Sequence, residues 1–324
     1  MTARLLFLGG AGMIGSAVVH AAVARGDEVT IVTRGEPKRS LPERVRHLRA
    51  DVGDAGALRA ALGGDEFDSV VNWVAFEPRD LAGHRDLFID TAGQYVLIST
   101  CSVYARPVPQ LPITESSPRR QNDFGYPRGK IACEDEMERA YRSGLPVTIA
   151  RPFHTYDETT LPILTGATAI ERMRAGRPVV VHGDGTSLWT LMHSSDFARA
   201  FLPLLGNQHA VGESVNVVSG DILTWDQIHL ALAAAAGVRR PRFVHRSSET
   251  VGRHVPGLGD VLEHDFRHSM LFDTSKLKRL APGFAPAISF SEGARQILRH
   301  YDASGPHSVD PELDAAFEAM IAEA

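Results

Sequence analysis

Tyr126 and Lys130 lie four residues apart in the run Tyr126-Pro127-Arg128-Gly129-Lys130. On a helix that spacing puts a phenol and an ammonium on one face, and a proline is tolerated there in the first turn. A phenol with a pKa of about 10 is a poor acid or base at neutral pH, but a neighbouring ammonium favours its anion. The pair can therefore exchange a proton with a substrate. Upstream, Ser99-Thr100-Cys101-Ser102-Val103-Tyr104 closes an apolar stretch with hydroxyls. Thr100 or Ser102 at a strand end can hydrogen-bond a substrate carbonyl and the phenol oxygen together, or can simply cap the strand. A Tyr/Lys pair is also what a solvated helix face presents, so its meaning depends on the elements that carry it.

Those elements begin with Leu5-Leu6-Phe7-Leu8-Gly9-Gly10-Ala11-Gly12-Met13-Ile14-Gly15. The pattern is a buried strand, a glycine turn and a helix running on to Arg25. Its spacing satisfies G-x-G-x-x-G, which lets backbone approach a pyrophosphate over a helix N-terminus. Gly9, Gly12, Met13, Ile14 and Gly15 are the expected dinucleotide cradle. Strands follow at Glu28 to Thr33, Val45 to Arg49, Ser69 to Val74 and Gln94 to Ser99, with helices at Ala55 to Leu62 and Asp80 to Asp90. This alternation predicts a doubly wound parallel sheet with ligands at its carboxyl edge. A polar loop with four prolines spans 101 to 123, before a helix from Tyr126 to Arg142 and a strand from Val147 to Ala150.

The α/β expectation is a dinucleotide-binding domain over 1–150 and a smaller, mainly substrate-binding α/β lobe over 151–324, packed on the first with some chain crossing back. In the second lobe Thr168 to Ala175, Ser195 to Leu205, Trp225 to Ala236, Ser291 to Tyr301 and Pro311 to Ala322 read as helices. Val179 to Val181 and Ser214 to Val218 read as strands, and Asp184-Gly185 as a turn. At 324 residues and 44% hydrophobic, the chain can bury a large core. A net charge of -5 with scattered basic residues argues against a nucleic-acid partner. Two cysteines, Cys101 and Cys133, make no disulfide framework, and no apolar run is long enough to span a membrane. The apolar start is a strand without a charged leader or cleavage site, so a cytoplasmic setting is expected.

The Gly9/Gly12/Gly15 loop, Asp51-Val52, the S-T-x-S-V-Y run, Tyr126-x-x-x-Lys130 and Arg151-Pro152 together resemble the extended short-chain dehydrogenase/reductase family. That family includes sugar-nucleotide epimerases and dehydratases, and the likeness runs over about residues 3 to 205. The resemblance implies a Rossmann domain in which Tyr126 is the acid/base, Lys130 holds the nicotinamide ribose and Thr100 supplies the hydroxyl. It implies adenine contacts from Asp51 and Val52, and a ribose wall of Trp73, Val74 and Ala75. It also implies a homodimer through helices near Asp80 to Asp90 and Tyr126 to Arg142.

Departures from the family pattern refine these expectations. Where NAD users place an acid for the ribose hydroxyls, this chain has Thr33-Arg34, with Lys38 and Arg39 nearby. A cation there suits a 2′-phosphate, so the cofactor expectation is NADP ahead of NAD. Cys101-Ser102 replaces the Asp-Glu that drives elimination in dehydratases. In Gly183-Asp184-Gly185-Thr186-Ser187-Leu188-Trp189, Trp189 takes the place of an arginine that holds a substrate diphosphate. Its ring can stack on a sugar or pack in a core, and Arg172, Arg174 or Arg177 could supply the missing charge. His154 and Ser102 complete the expected substrate contacts. No metal site is expected, and His264 and His268 lack a third ligand.

The leading expectation is an NAD(P)-dependent epimerase or oxidoreductase that moves a hydride at a secondary alcohol or ketone of a sugar or sugar-nucleotide-like substrate. The alternatives are an NADPH-dependent ketone reductase of a non-nucleotide metabolite, and a non-catalytic RNA-binding relative like the chloroplast stem-loop proteins that this atypical branch also resembles.

Overall fold

The computed structural model describes residues 2–119 and 125–323. Its first strand, β1 (Arg4–Leu8), buries Leu5 to Leu8 completely, which is why an unbroken apolar run precedes the glycines. The chain then alternates through α1 (Met13–Arg25), β2 (Glu28–Thr33), β3 (Arg46–Arg49), α2 (Ala55–Leu62) and β4 (Ser69–Asn72). It continues with α3 (His84–Phe88), β5 (Tyr95–Ile98), α4 (Gly125–Arg142) and β6 (Val147–Pro152). All neighbours in the central sheet are parallel, in the order Ser214–Val217, β6, β5, β4, β1, β2, β3. Apolar cores lie on both faces of this doubly wound α/β sheet, and a third fills the second lobe.

Local chemistry sets where elements end. Asp54 caps α2 by accepting from the amides of Gly56 and Ala57, and Gly26 closes α1 in the left-handed conformation at φ 94°. β4 stops at Asn72 instead of Val74, because the Asn72 Oδ1 accepts from the amides of Val74 and Ala75 and turns the chain.

The single helix expected over Asp80 to Asp90 is a correction. Pro78–Leu81 forms a 3₁₀ turn, Gly83 takes φ 76°, and only His84–Phe88 is α-helical. Of the two helices expected to serve a homodimer, one is therefore long and the other broken. Pro203 likewise converts the end of the helix expected to reach Leu205 into a 3₁₀ turn, Leu202–Leu204, after the α-helix Ser194–Phe201.

The second lobe is not wholly separate. The strand Ser214–Val217 joins β6 at the sheet edge, and the helix Ser194–Phe201 packs on α1. The rest of the lobe is short strand pairs and helices around Trp189, Trp225 and Phe317. Among the described residues no helix is long and apolar enough to cross a membrane.

Candidate active site

A cleft of about 1040 Å³ crosses the carboxyl edge of the sheet. Residues after β2 and β3, including Arg34, Lys38 and Asp51, line one end. Thr100, Tyr126, Lys130 and Pro152 to Thr155, from the β5 and β6 side, line the other. The strand order places the glycine loop after β1 between them.

The glycine loop has the form of an anion cradle. A Cβ on Gly15 would sit 2.5 Å from the Gly10 carbonyl oxygen, so only glycine lets α1 approach the turn so closely. A Cβ on Gly12 would meet no atom within 4 Å, leaving room above the turn for a ligand. α1 starts from Gly12 with no side-chain cap and no acidic residue in its first turn, so its leading amides and dipole favour an anion. Gly9, Gly12, Met13, Ile14 and Gly15 all line the cleft there. Arg34 and Lys38 are exposed on its wall with no hydrogen-bond or ion-pair partner among the described residues. Arg39 instead bridges across to the second lobe, donating to Asp157 at 2.5 Å and to Thr159 at 2.9 Å. That guanidinium, and the hydrogen bonds from Thr159, hold the buried Asp157 carboxyl below the usual range against the opposing effect of burial.

Asp51 and Val52 line the cleft beside the arginine. Trp73 and Val74 line it below the glycine loop; Trp73 packs on Phe7, Phe197 and Phe201, and its buried indole N–H has no partner among the described residues. Ala75 contributes no wall. Its side chain is in the core, and its carbonyl accepts from Lys130 instead.

At the β5/β6 end, α4 brings Tyr126 and Lys130 onto one face. Gly129 permits this, since a Cβ there would lie 2.4 Å from the Phe76 carbonyl oxygen. Lys130 is 2% exposed; its Nζ donates to the carbonyls of Ala75 (2.8 Å) and Ile98 (2.9 Å) and lies 4.4 Å from the Phe76 ring centroid. Burial pulls its pKa down to about 8 despite the nearby Cys133, Glu134 and Asp80. Tyr126 is 44% exposed, and its ring lies 6.3 Å from that of Phe76. Desolvation of its hydroxyl raises the phenol pKa, a hydrogen bond with Thr100 works the other way, and the Asp265 charge adds to the rise. The phenol therefore keeps its proton at neutral pH.

Thr100 caps the 3₁₀ turn Cys101–Val103, accepting from the Ser102 amide while facing Tyr126. Both the capping and the site readings of this hydroxyl are thus compatible. Ser102 Oγ donates to Asp265 at 3.3 Å, and Arg106 donates to the same carboxylate at 2.8 Å.

His154 stands on the cleft wall, with Trp189 behind it. Trp189 is 1% exposed and packs against Phe153, Trp225 and Phe266, so it is a core residue and is not open to stacking on a ligand. Its indole N–H donates to His154 Nδ1 at 2.6 Å. Burial pulls the His154 pKa down to about 4, and an accepting Nδ1 in a neutral ring puts the proton on Nε2. None of Arg172, Arg174 and Arg177 is left unpaired. Arg172 and Arg177 meet Asp314 and Glu318, and Arg174 meets Glu171 and Asp302. Among the described residues no group of three or more His, Cys, Asp or Glu could hold a metal. The rings of His264 and His268 are turned to the Asp260 and Glu263 carbonyls.

Phe76, Asp265 and Asp157 went unread in the sequence. Phe76 had a local signal, following directly on Trp73 to Ala75 in the turn after β4. Asp265 and Asp157 act on residues 163 and 118 positions away, and no spacing rule reaches that far.

The chain is 25% identical over 305 residues to the chloroplast stem-loop binding protein of 41 kDa b from Arabidopsis thaliana, covering 90% of this chain and 77% of that one. It is 26% identical over 289 residues to 2'-dehydrokanamycin reductase from Streptomyces kanamyceticus, covering 87% and 80%. The fold matches a UDP-glucuronic acid 4-epimerase from Bacillus cereus solved with NAD, at a TM-score of 0.70, 17% identity and coverage of 93% and 99%. The family model described as NAD dependent epimerase/dehydratase matches residues 5–88 and 84–218. With its glycine cradle and Tyr126/Lys130 pair on that frame, the chain belongs to the NAD-dependent epimerase/dehydratase family, whose members are extended short-chain dehydrogenase/reductase enzymes.

Proposed function

We propose that the protein moves a hydride between NADP, ahead of NAD, and a secondary alcohol or ketone of a sugar-like substrate, with Tyr126 as acid and base. The observation that carries this reading is that the Tyr126 phenol faces the Thr100 hydroxyl, with Lys130 lining the same end of a cleft that the glycine loop also lines. When bound, the nicotinamide supplies the hydride donor or acceptor.

The chain's own part is binding and proton transfer. Gly9, Gly12, Met13, Ile14 and Gly15 hold the pyrophosphate, Asp51 and Val52 the adenine, and Trp73 and Val74 the ribose wall. Arg34 and Lys38 take the 2′-phosphate, since neither is engaged elsewhere among the described residues. In reduction the phenol of Tyr126 gives its proton to the forming alkoxide while Thr100 hydrogen-bonds the same oxygen. In oxidation Tyr126 takes that proton back, and the Lys130 charge favours the anion it briefly becomes. His154 Nε2 orients the rest of the substrate, while Ser102, its hydroxyl given to Asp265, lies outside the cleft lining.

An epimerase uses this transfer once in each direction, a reductase once only. The likeness to 2'-dehydrokanamycin reductase supports the reductase sense, and the fold of the epimerase neighbour is equally suited to the other. Substrate-dependent loss of NADPH absorbance marks a reductase; cofactor retained through purification with no net consumption marks an epimerase. Fluorescence titration tests the cofactor assignment, with tighter NADP expected and equal or tighter NAD binding removing it.

A further inference from the structure

We infer that the substrate carries no nucleoside diphosphate, and is an uncharged hydroxy or keto compound met by neutral donors, hydroxyls and one carboxylate. This rests on the hydride-transfer reading of the same cleft. A diphosphate brought out of water needs cations or free amides to meet its charge.

The catalytic end of the cleft offers no such group among the described residues. Trp189, after the Gly183-Asp184-Gly185 turn, carries no charge and has its only side-chain donor engaged by His154. His154 presents a neutral Nε2–H, suited to a hydroxyl or carbonyl oxygen. The arginines on the nearby helix Gly166–Arg174, and Arg177 beyond it, are committed to carboxylates of other segments. Arg106 is matched by Asp265, and that carboxylate bears on the Tyr126 phenol. Arg128 has no partner among the described residues but is exposed, and two residues from Tyr126 on α4 it lies on another face of the helix. Lys130 is turned to two backbone carbonyls. A nucleoside diphosphate would meet the field of Asp265 beside Tyr126, with no unengaged positive charge at that end of the cleft to balance it among the described residues.

The test uses the full chain saturated with NADPH, so that added nucleotides cannot occupy the adenine end. Calorimetric titration with UDP, UDP-glucose and dTDP-glucose is expected to show no saturable binding tighter than about 1 mM. Binding tighter than that by any of the three, or turnover of either nucleotide sugar, overturns the inference. Cofactor titration of the same sample separates the two levels. Failure to bind either NAD or NADPH sinks the hydride-transfer reading, whereas firm cofactor binding with rejected nucleotide sugars supports both.

Discussion

At the β2/β3 end of the cleft, Arg34 and Lys38 stand in solvent with no carboxylate engaging them. At the β5/β6 end, Arg106 and the arginines near the helix Gly166–Arg174 are neutralised, and the wall is Phe153 and the neutral His154, backed by the buried Trp189. Both ends belong to one cavity on one sheet edge, yet one is arranged for an anion and the other for a neutral guest. The difference teaches that the family frame fixes where hydride transfer occurs, while the charge state of a few arginines decides what each end accepts.

The strongest way to break this division of labour is to remove the proton exchanger. Tyr126→Phe is expected to lower kcat by about 10²–10⁴-fold while leaving the cofactor Kd unchanged, as read by steady-state kinetics beside fluorescence titration. Activity within tenfold of wild type, roughly 1.4 kcal/mol, would move the acid/base role elsewhere.

A sharper test of the anionic end is Arg34→Ala. Losing one charge-assisted hydrogen bond is expected to weaken NADP binding by about tenfold or more and to leave NAD nearly unchanged. An equal loss for both cofactors would place Arg34 on the shared part of the dinucleotide.

Lys130 gives a test that depends on pH. Its folded pKa lies near 8, below the ordinary 10.5 of a free lysine, so between those values the unfolded chain binds more protons than the folded one. Stability of the cofactor-free protein should therefore rise with pH across that window, relative to a Lys130→Met variant. Parallel chemical-denaturation curves at pH 8 and pH 10 would refute the buried-ammonium description. The smallest effect is expected from Trp189→Phe, which keeps an aromatic wall but leaves His154 Nδ1 without its donor. It should cost about 1–3 kcal/mol of stability with cofactor affinity intact, and a changed cofactor Kd would mean that the two ends are coupled.

How much could be read beforehand follows from range. β1, β2 and β5 are buried on both faces, so their apolar runs announce them, and the glycine turn and the Tyr126/Lys130 spacing are local patterns. The helix expected over Asp80 to Asp90 failed at Gly83, whose positive φ interrupts an otherwise helical composition. Trp189 sits in a three-residue strand, too short for any alternation to tell core from cleft. Asp265 joins the site only because the segment Leu262–Phe266 folds back onto the loop that carries Ser102 and Arg106, a tertiary event with no periodic trace.

Arg39 follows Lys38 on one wall of the cleft, and Asp157 lies two residues past Thr155 on the other, so their ion pair ties the walls together above the start of α1, where Thr160 also touches Met13. A dinucleotide lying beneath such a strap could leave only after it parts, while a small molecule beside Tyr126 faces no comparable barrier. Exchange would then be ordered, with product departing before the nucleotide, and high salt, by loosening the Arg39 side of the tie, would hasten the slower of the two departures.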